Sequence, residues 1–274
     1  MSLRVRDISV QLAGTDVVRN VSLNVDSGEL VILLGPNGAG KSTLLGALAG
    51  ERTVARGHVE LAGRSLQDWQ PAHLARHRAV MPQRVDVNFP LTVDDVLRLG
   101  RPPEPPERSR PILDELLQRL DIAHLRHRRV PGLSGGEQQR VQLARVLAQI
   151  WDSPGPVVLL LDECTSALDP NHQQQVFGLL KRLSRERNFA ILAVVHDLNL
   201  AARYADRLVL LRDGVTHCHD SPKQTLTSDN LWAVYRLRAR IMMLPEGYPL
   251  VVPSDDFTGG GQTAPLKPAC RQAS

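Results

Sequence analysis

At 274 residues, with 42% apolar and 23% charged residues, the chain has the make-up of an ordinary soluble globule. A chain of this length buries roughly three quarters of its extended surface, so it needs no disulfide staples. The net charge of +4, from 33 basic and 29 acidic residues, suits a phosphate ligand or an anionic surface and does not by itself argue for nucleic acid.

Cys164, Cys218 and Cys270 stand far apart without a C-x-x-C pair, which predicts no zinc site. No run approaches the ~18 apolar residues of a membrane span. Met1 to Asp7 has no apolar h-region, so no secretory signal is expected there. Any membrane role must come through a partner.

Residues 3–26 alternate apolar and polar positions, with Leu3, Val5, Ile8 and Val10, then Val21, Leu23 and Val25. That pattern predicts half-buried antiparallel strands. Asp26-Ser27-Gly28 turns the chain into Leu30 to Leu34, which reads as a short buried strand. It runs straight into Gly35-Pro36-Asn37-Gly38-Ala39-Gly40-Lys41-Ser42-Thr43, and helical spacing from Ser42 to Ala49 stops at Gly50. Strand, glycine-rich loop, then Lys-Ser opening a helix is the context of a phosphate-binding P-loop. Gly35, Gly38 and Gly40 let backbone N–H groups turn inward without Cβ clashes, forming a nest at a positive helix end. Lys41 is expected to bridge the β- and γ-phosphates, and the Ser42 hydroxyl to sit on Mg²⁺. The bland alternative is a glycine-rich turn with a surface lysine. The full spacing and both flanking elements weigh against it.

Beyond the loop, Gly57 to Leu61 reads as a strand with Ala62-Gly63 as its turn, and Pro71 to Arg78 as a short basic helix. Ala79-Val80-Met81 is extended, because the residue before Pro82 avoids the helical region. From Phe89 to Leu147 the character is helical, starting at Thr92 with Asp95 three residues on. Arg101 to Pro111 holds five prolines and no apolar residue, which predicts an exposed loop. Ile112 to Leu120 is helical again. Ser134-Gly135-Gly136-Glu137 opens a helix carrying Val141, Ala144, Leu147 and Ala148 on one face, so this region reads as a helical insert between two halves of a parallel sheet.

Val157 to Leu161 is a continuous apolar run of the kind that a sheet covered on both faces requires. Asp169-Pro170 supplies an N-cap and a first-turn proline for a helix through Leu183. Ala190 to Val195 and Arg207 to Leu211 are further strands, and Ser221-Pro222 and Ser228 start short helices. Arg240 to Leu244 with Leu250 to Val252 forms a last hairpin. The composition of residues 254–274 predicts a disordered tail.

Three features narrow the P-loop reading. Asp162-Glu163 ends a buried strand as a Walker B pair does, with the first carboxylate for Mg²⁺ and the second to polarise a water. Leu133-Ser134-Gly135-Gly136-Glu137 satisfies a capping box, and its two glycines also expose N–H groups as a second anion site. His196 follows a parallel strand on the sheet edge where α/β ligands bind.

At these residues the sequence resembles the ATP-binding subunit of ABC transporters, over about residues 1–252. The resemblance implies an α/β P-loop NTPase core with a mixed, mostly parallel sheet, an N-terminal antiparallel β subdomain and a helical subdomain at about 84–147, within one domain of residues 1–253. It assigns Gln83 to a loop that reaches metal and γ-phosphate, Glu163 as general base and His196 as switch histidine. Leu133 to Glu137 become the signature, and Ser166-Ala167-Leu168-Asp169 the D-loop. Ser42, Gln83 and Asp162 become the Mg²⁺ ligands. It further implies a homodimer sandwiching two ATPs, with Ser134 to Gly136 of one copy completing the Lys41 site of the other. That dimer would sit on a permease dimer at the cytoplasmic face of the inner membrane, served indirectly by a periplasmic binding protein and touching neither cargo nor nucleic acid.

Two positions depart from the family pattern. Leu12 stands where an aromatic residue usually stacks on adenine, and Cys164 replaces the proline after the catalytic glutamate; it reads as a small buried residue, although a thiol beside the site could make the enzyme sensitive to oxidation. His196-Asp197-Leu198-Asn199-Leu200-Ala201-Ala202-Arg203-Tyr204-Ala205-Asp206 looks like importers of iron chelates and corrinoids. Within that group, Pro90 to Val93 before Leu99-Gly100-Arg101, Ala144 to Trp151, Val234-Tyr235 and Val251 to Pro253 are similar to the hemin importers. Siderophore or cobalamin import is the near alternative, and a soluble ABC ATPase without the usual second cassette or coiled coil the distant one. His217-Cys218-His219, beside Asp213-Gly214, reads as a surface hairpin rather than a hemin site.

Overall fold

A computed structural model of the chain describes residues 2–83 and 90–254. The N-terminal strands β1 (Leu3–Leu12) and β2 (Thr15–Val25) pair antiparallel. β3 (Leu30–Leu34), every residue buried, feeds the glycine loop and α1 (Lys41–Leu48). β4 (Arg56–Leu61) pairs with β1, and β5 (Arg64–Ser65) with β4. Next come α2 (Pro71–His77) and β6 (Arg78–Met81), then the helices α3 (Val93–Leu99), α4 (Pro106–Arg119) and α5 (Gly135–Ile150). β7 (Val158–Asp162), α6 (Pro170–Arg187), β8 (Ala190–Val194) and α7 (Leu198–Tyr204) follow. The chain finishes through β9 (Arg207–Arg212), β10 (Val215–Asp220), α8 (Pro222–Thr225), α9 (Ser228–Tyr235) and the hairpin β11 (Ala239–Met243) and β12 (Pro249–Pro253).

Among the described residues, the central sheet has the order β10-β9-β3-β8-β7-β6, parallel except where β10 folds back on β9. Because successive residues face opposite sides of a sheet, β3 divides its side chains between two cores. Leu30, Ile32 and Leu34 face the helical layer, while Val31 and Leu33 face α1 and the antiparallel sheet. Burial on both sides explains why β3, β8 and β7 as far as Leu161 are unbroken apolar runs. The helical segment connects two neighbouring strands, β6 and β7, at one edge of the sheet. It does not divide the sheet into halves.

The expected loop over Arg101 to Pro111 is corrected. α4 starts at Pro106, whose missing N–H costs nothing in a first turn, and it continues through Pro111. Pro111 does forfeit a helical hydrogen bond, and the burial of Leu113, Leu116 and Leu117 on the same helix offsets it. Nor is Arg101 exposed. Its side chain is buried, forks onto both Asp152 oxygens at 2.8 and 2.9 Å, meets Glu104 at 2.6 Å and donates to the Ala148 carbonyl at 2.8 Å. Gly100 permits the approach: a Cβ there would stand 2.1 Å from the Arg145 carbonyl oxygen. The predicted tail lies outside the described residues from residue 255 onward, as does the start of the predicted helical subdomain at 84–89. Among the described residues no helix is long and apolar enough to cross a membrane.

Candidate functional site

The carboxyl ends of four adjacent strands build one edge. β3 delivers the glycine loop, β8 delivers His196, β7 delivers Asp162 and Glu163, and β6 delivers Gln83. Ligands of parallel α/β sheets bind at this kind of edge. The sheet order therefore collects residues up to 161 positions apart (35 to 196) into one place.

At the glycine loop, Gly40 caps α1 with φ 95°, a left-handed conformation that a side chain would strain, and no side chain caps the helix. The first-turn N–H groups thus face outward without an acceptor of their own. Lys41 is buried, and its Nζ donates to the Gly35 and Pro36 carbonyls at 2.7 and 3.0 Å. Burial lowers its pKa against the pull of Glu163 and Asp162.

Across the cleft, burial pushes the Asp162 carboxyl up, while a hydrogen bond from the Ser42 side chain pulls it down. Asp162 Oδ1 is buried without a partner. A buried anionic oxygen with nothing to meet it, joined to a hydroxyl, is a donor set that fits a hard divalent cation.

Glu163 is gripped from two sides. Gln83 Nε2 donates to its Oε2 at 2.7 Å, and His196 Nε2 lies 2.5 Å from Oε1. Burial alone would raise its pKa, yet the His196 and Gln83 hydrogen bonds and the nearby charges hold it below the usual carboxylate range. The Glu163 backbone has φ 51°. Such a conformation persists in a glutamate only where its surroundings hold it.

Burial of Cys164 pushes its thiol up to about 12. Cys164 is thus the small buried residue that the sequence suggests, and its burial argues against sensitivity to oxidation. Leu12 ends β1 opposite Thr15 and is partly exposed. In the His217-Cys218-His219 run, Cys218 is buried in the core and burial lowers His219 to about 4, so this hairpin is packed against the body.

The segment Leu133 to Glu137, expected from the resemblance to be the signature, leads into α5 with Ser134 as its N-cap. Ser134 Oγ accepts from the Glu137 N–H at 3.3 Å, and Glu137 Oε2 accepts from the Ser134 N–H and hydroxyl at 2.7 and 2.9 Å. The capping box is thus real, and it leaves the Gly135 and Gly136 N–H groups to spare. Leu133 is buried beneath it. Among the described residues no hydrogen bond joins Ser134 to Gly136 with the glycine loop of the same chain.

Against the start of α5 lies the segment Ser166 to Asp169, with Ala167 exposed, Leu168 buried and Asp169 capping α6 through the His172 N–H at 2.9 Å. Gln139, to which the sequence alone gives no role, holds this segment. Gln139 Nε2 donates to the Glu163 carbonyl at 3.2 Å and to Ser166 Oγ at 3.0 Å, and its Oε1 accepts from the Ala167 N–H at 3.1 Å. Its only sequence signal was a glutamine one turn into a capped helix.

A family model described as ABC transporter matches residues 18–166. The hemin import ATP-binding protein HmuV of Pseudomonas aeruginosa is 46% identical over 253 residues, covering 91% of this chain and 99% of the relative. The protein of the same name from Gloeobacter violaceus is 45% identical over 258 residues, covering 92% and 94%. Among solved structures, a transporter described as of the metal-chelate ABC type, in an inward-facing conformation, has a TM-score of 0.76 at 27% identity, covering 92% of this chain and 97% of that one. A bacterial ABC transporter cassette solved as a dimer has a TM-score of 0.70 at 27% identity, covering 80% and 98%.

Proposed function

The chain belongs to the ABC transporter ATP-binding family, and we propose that it drives hemin import by hydrolysing MgATP as a pair of copies seated on a membrane permease. The observation that carries the chemistry is the convergence of Lys41, Asp162, Glu163, His196 and Gln83 on one sheet edge. The glycine-loop N–H groups and Lys41 bind the triphosphate. Lys41 leaves its resting carbonyls for the β- and γ-phosphate oxygens. Ser42, Asp162 and Gln83 would hold Mg²⁺, which would supply positive charge to offset the charge developing on the phosphate. Glu163, held ionised, accepts the proton of the attacking water, while His196 and Gln83 fix its orientation. Two Gly N–H groups at the start of α5 meet the nucleotide of the second copy, so hydrolysis requires both copies.

The cargo reading rests on near full-length relatives named hemin import proteins. The name of those relatives, with the structural likeness to a metal-chelate type transporter, supports a peripheral position at the cytoplasmic face of the bacterial inner membrane. The test is ATPase activity of the chain reconstituted with its cognate permease. Stimulation by a hemin-loaded binding protein is expected, and stimulation only by a cobalamin- or siderophore-loaded one overturns the cargo.

A further inference from the structure

We propose that Gln139 is a positioning residue that couples the two nucleotide sites through each subunit, linking the helix start offered to one ATP with the base acting on the other. The inference rests on the paired-copy reading above. Its geometry lies within one chain. A single side-chain amide makes three hydrogen bonds to the five residues from Glu163 to Ala167, from a helix 24 to 28 residues away in sequence. Only one orientation of the amide satisfies them, since a carbonyl and a hydroxyl need the NH₂ and a backbone N–H needs the oxygen.

The bonds fall where they matter. The Glu163 carbonyl that accepts from Gln139 belongs to the residue with the left-handed backbone, and it also accepts from the Ser166 N–H at 3.2 Å. Gln139 therefore secures the turn that aims the Glu163 carboxylate. One turn earlier on the same helix, Gly136 packs so tightly on the segment that a Cβ would stand 3.1 Å from Leu168 Cδ2 and 3.2 Å from the Ala167 carbonyl oxygen. The start of α5 and the Glu163 loop are thus fastened at two points. A shift of Ser134 to Gly136 on meeting phosphate is passed to the Glu163 backbone by hydrogen bonds, not by loose packing.

A second glutamine provides the control. Gln173 of α6 also grips this segment, donating to the Thr165 and Leu168 carbonyls at 3.1 and 3.2 Å, and among the described residues it makes no hydrogen bond to α5. Loss of Gln173 loosens the loop and leaves the link to α5 intact.

The test uses the full-length chain, with phosphate release measured against MgATP concentration, melting temperature, and nucleotide affinity at protein concentrations below pairing. Gln139→Ala is expected to lower kcat about 10- to 100-fold, the scale of a small misplacement of a catalytic group. Its Hill coefficient falls to one, while its melting temperature and single-copy affinity stay at wild-type values. Gln139→Glu keeps the acceptor for Ala167 and loses both donors, so it falls with the alanine variant. Gln173→Ala retains the wild-type Hill coefficient. A wild-type kcat and Hill coefficient in Gln139→Ala overturn the proposal, as does an equal loss of cooperativity in Gln173→Ala or a loss of kcat matched by a lowered melting temperature. A wild-type chain without MgATP hydrolysis, and a Glu163→Gln chain that never pairs with MgATP, overturn instead the functional reading underneath.

Discussion

The starts of α1 and α5 are two helix N-termini with opposite habits. α1 has a glycine cap, no side-chain acceptor and no acid in its first turn, so its partial positive charge waits for a ligand. α5 has a complete capping box with Glu137 in its first turn. Two of its N-terminal donors are satisfied from within, and hydrogen bonds from Ser134 hold the Glu137 carboxyl below the usual range. Only the Gly135 and Gly136 N–H groups remain for an incoming anion, beside a fixed negative charge. On the proposed function, the first terminus holds triphosphate in a single copy, and the second binds weakly, only once a nucleotide is already held opposite.

That contrast predicts unequal losses. Lys41→Ala removes the buried cation from the strong terminus, and MgATP binding and turnover are both expected to disappear, read by equilibrium binding and phosphate release. Ser134→Arg fills the weak terminus with a bulky side chain. Single-copy MgATP affinity is expected to survive, while MgATP-dependent pairing and turnover are lost, read by light scattering and the same assay. Loss of single-copy affinity in Ser134→Arg would erase the distinction between the termini. Glu137→Gln sharpens it: the amide oxygen can still cap Ser134, and the charge is gone. Pairing is expected at about two- to fivefold lower MgATP, the scale of one charge at a helix end. Pairing that weakens would mean the carboxylate assists the contact.

The same contrast explains what could be read from the chain. The strong terminus is one unbroken stretch, Gly35 to Thr43, because the groups it needs come from consecutive residues. The Gln83, Glu163 and His196 cluster has gaps of 80 and 33 residues, and only the resemblance to a family brought those three residues together. Residue types then misled where tertiary packing overruled local preference. Five prolines suggested a loop, but two of them fit a helix whose apolar face lies between α3 and α5, and Arg101 found buried carboxylates. Gln139 was invisible for a different reason. Its importance lies in what it reaches, and a polar residue in a helix carries no sign of its partners.

The smallest effect concerns the divalent cation and divides function from stability. Burial raises the Asp162 pKa above its ordinary value of 3.8. Between the ordinary and the raised value the folded chain holds a proton that the unfolded chain has lost, so stability falls as pH rises through that window. At neutral pH, without a cation, the ionised Asp162 is therefore a liability, with Oδ1 buried and unmet. Asp162→Asn keeps an acceptor for Ser42 and discards the charge. Its melting temperature at pH 7.5 in chelator is expected to rise by about 2 °C, the order of a sub-kilocalorie gain in a chain of this size. The gap from wild type should close as pH falls towards 4, and the extra stabilisation that Mg²⁺ gives with nucleotide should vanish. An asparagine variant that melts below wild type in chelator would show that the buried charge is already compensated by Lys41, leaving no vacancy for a metal to relieve.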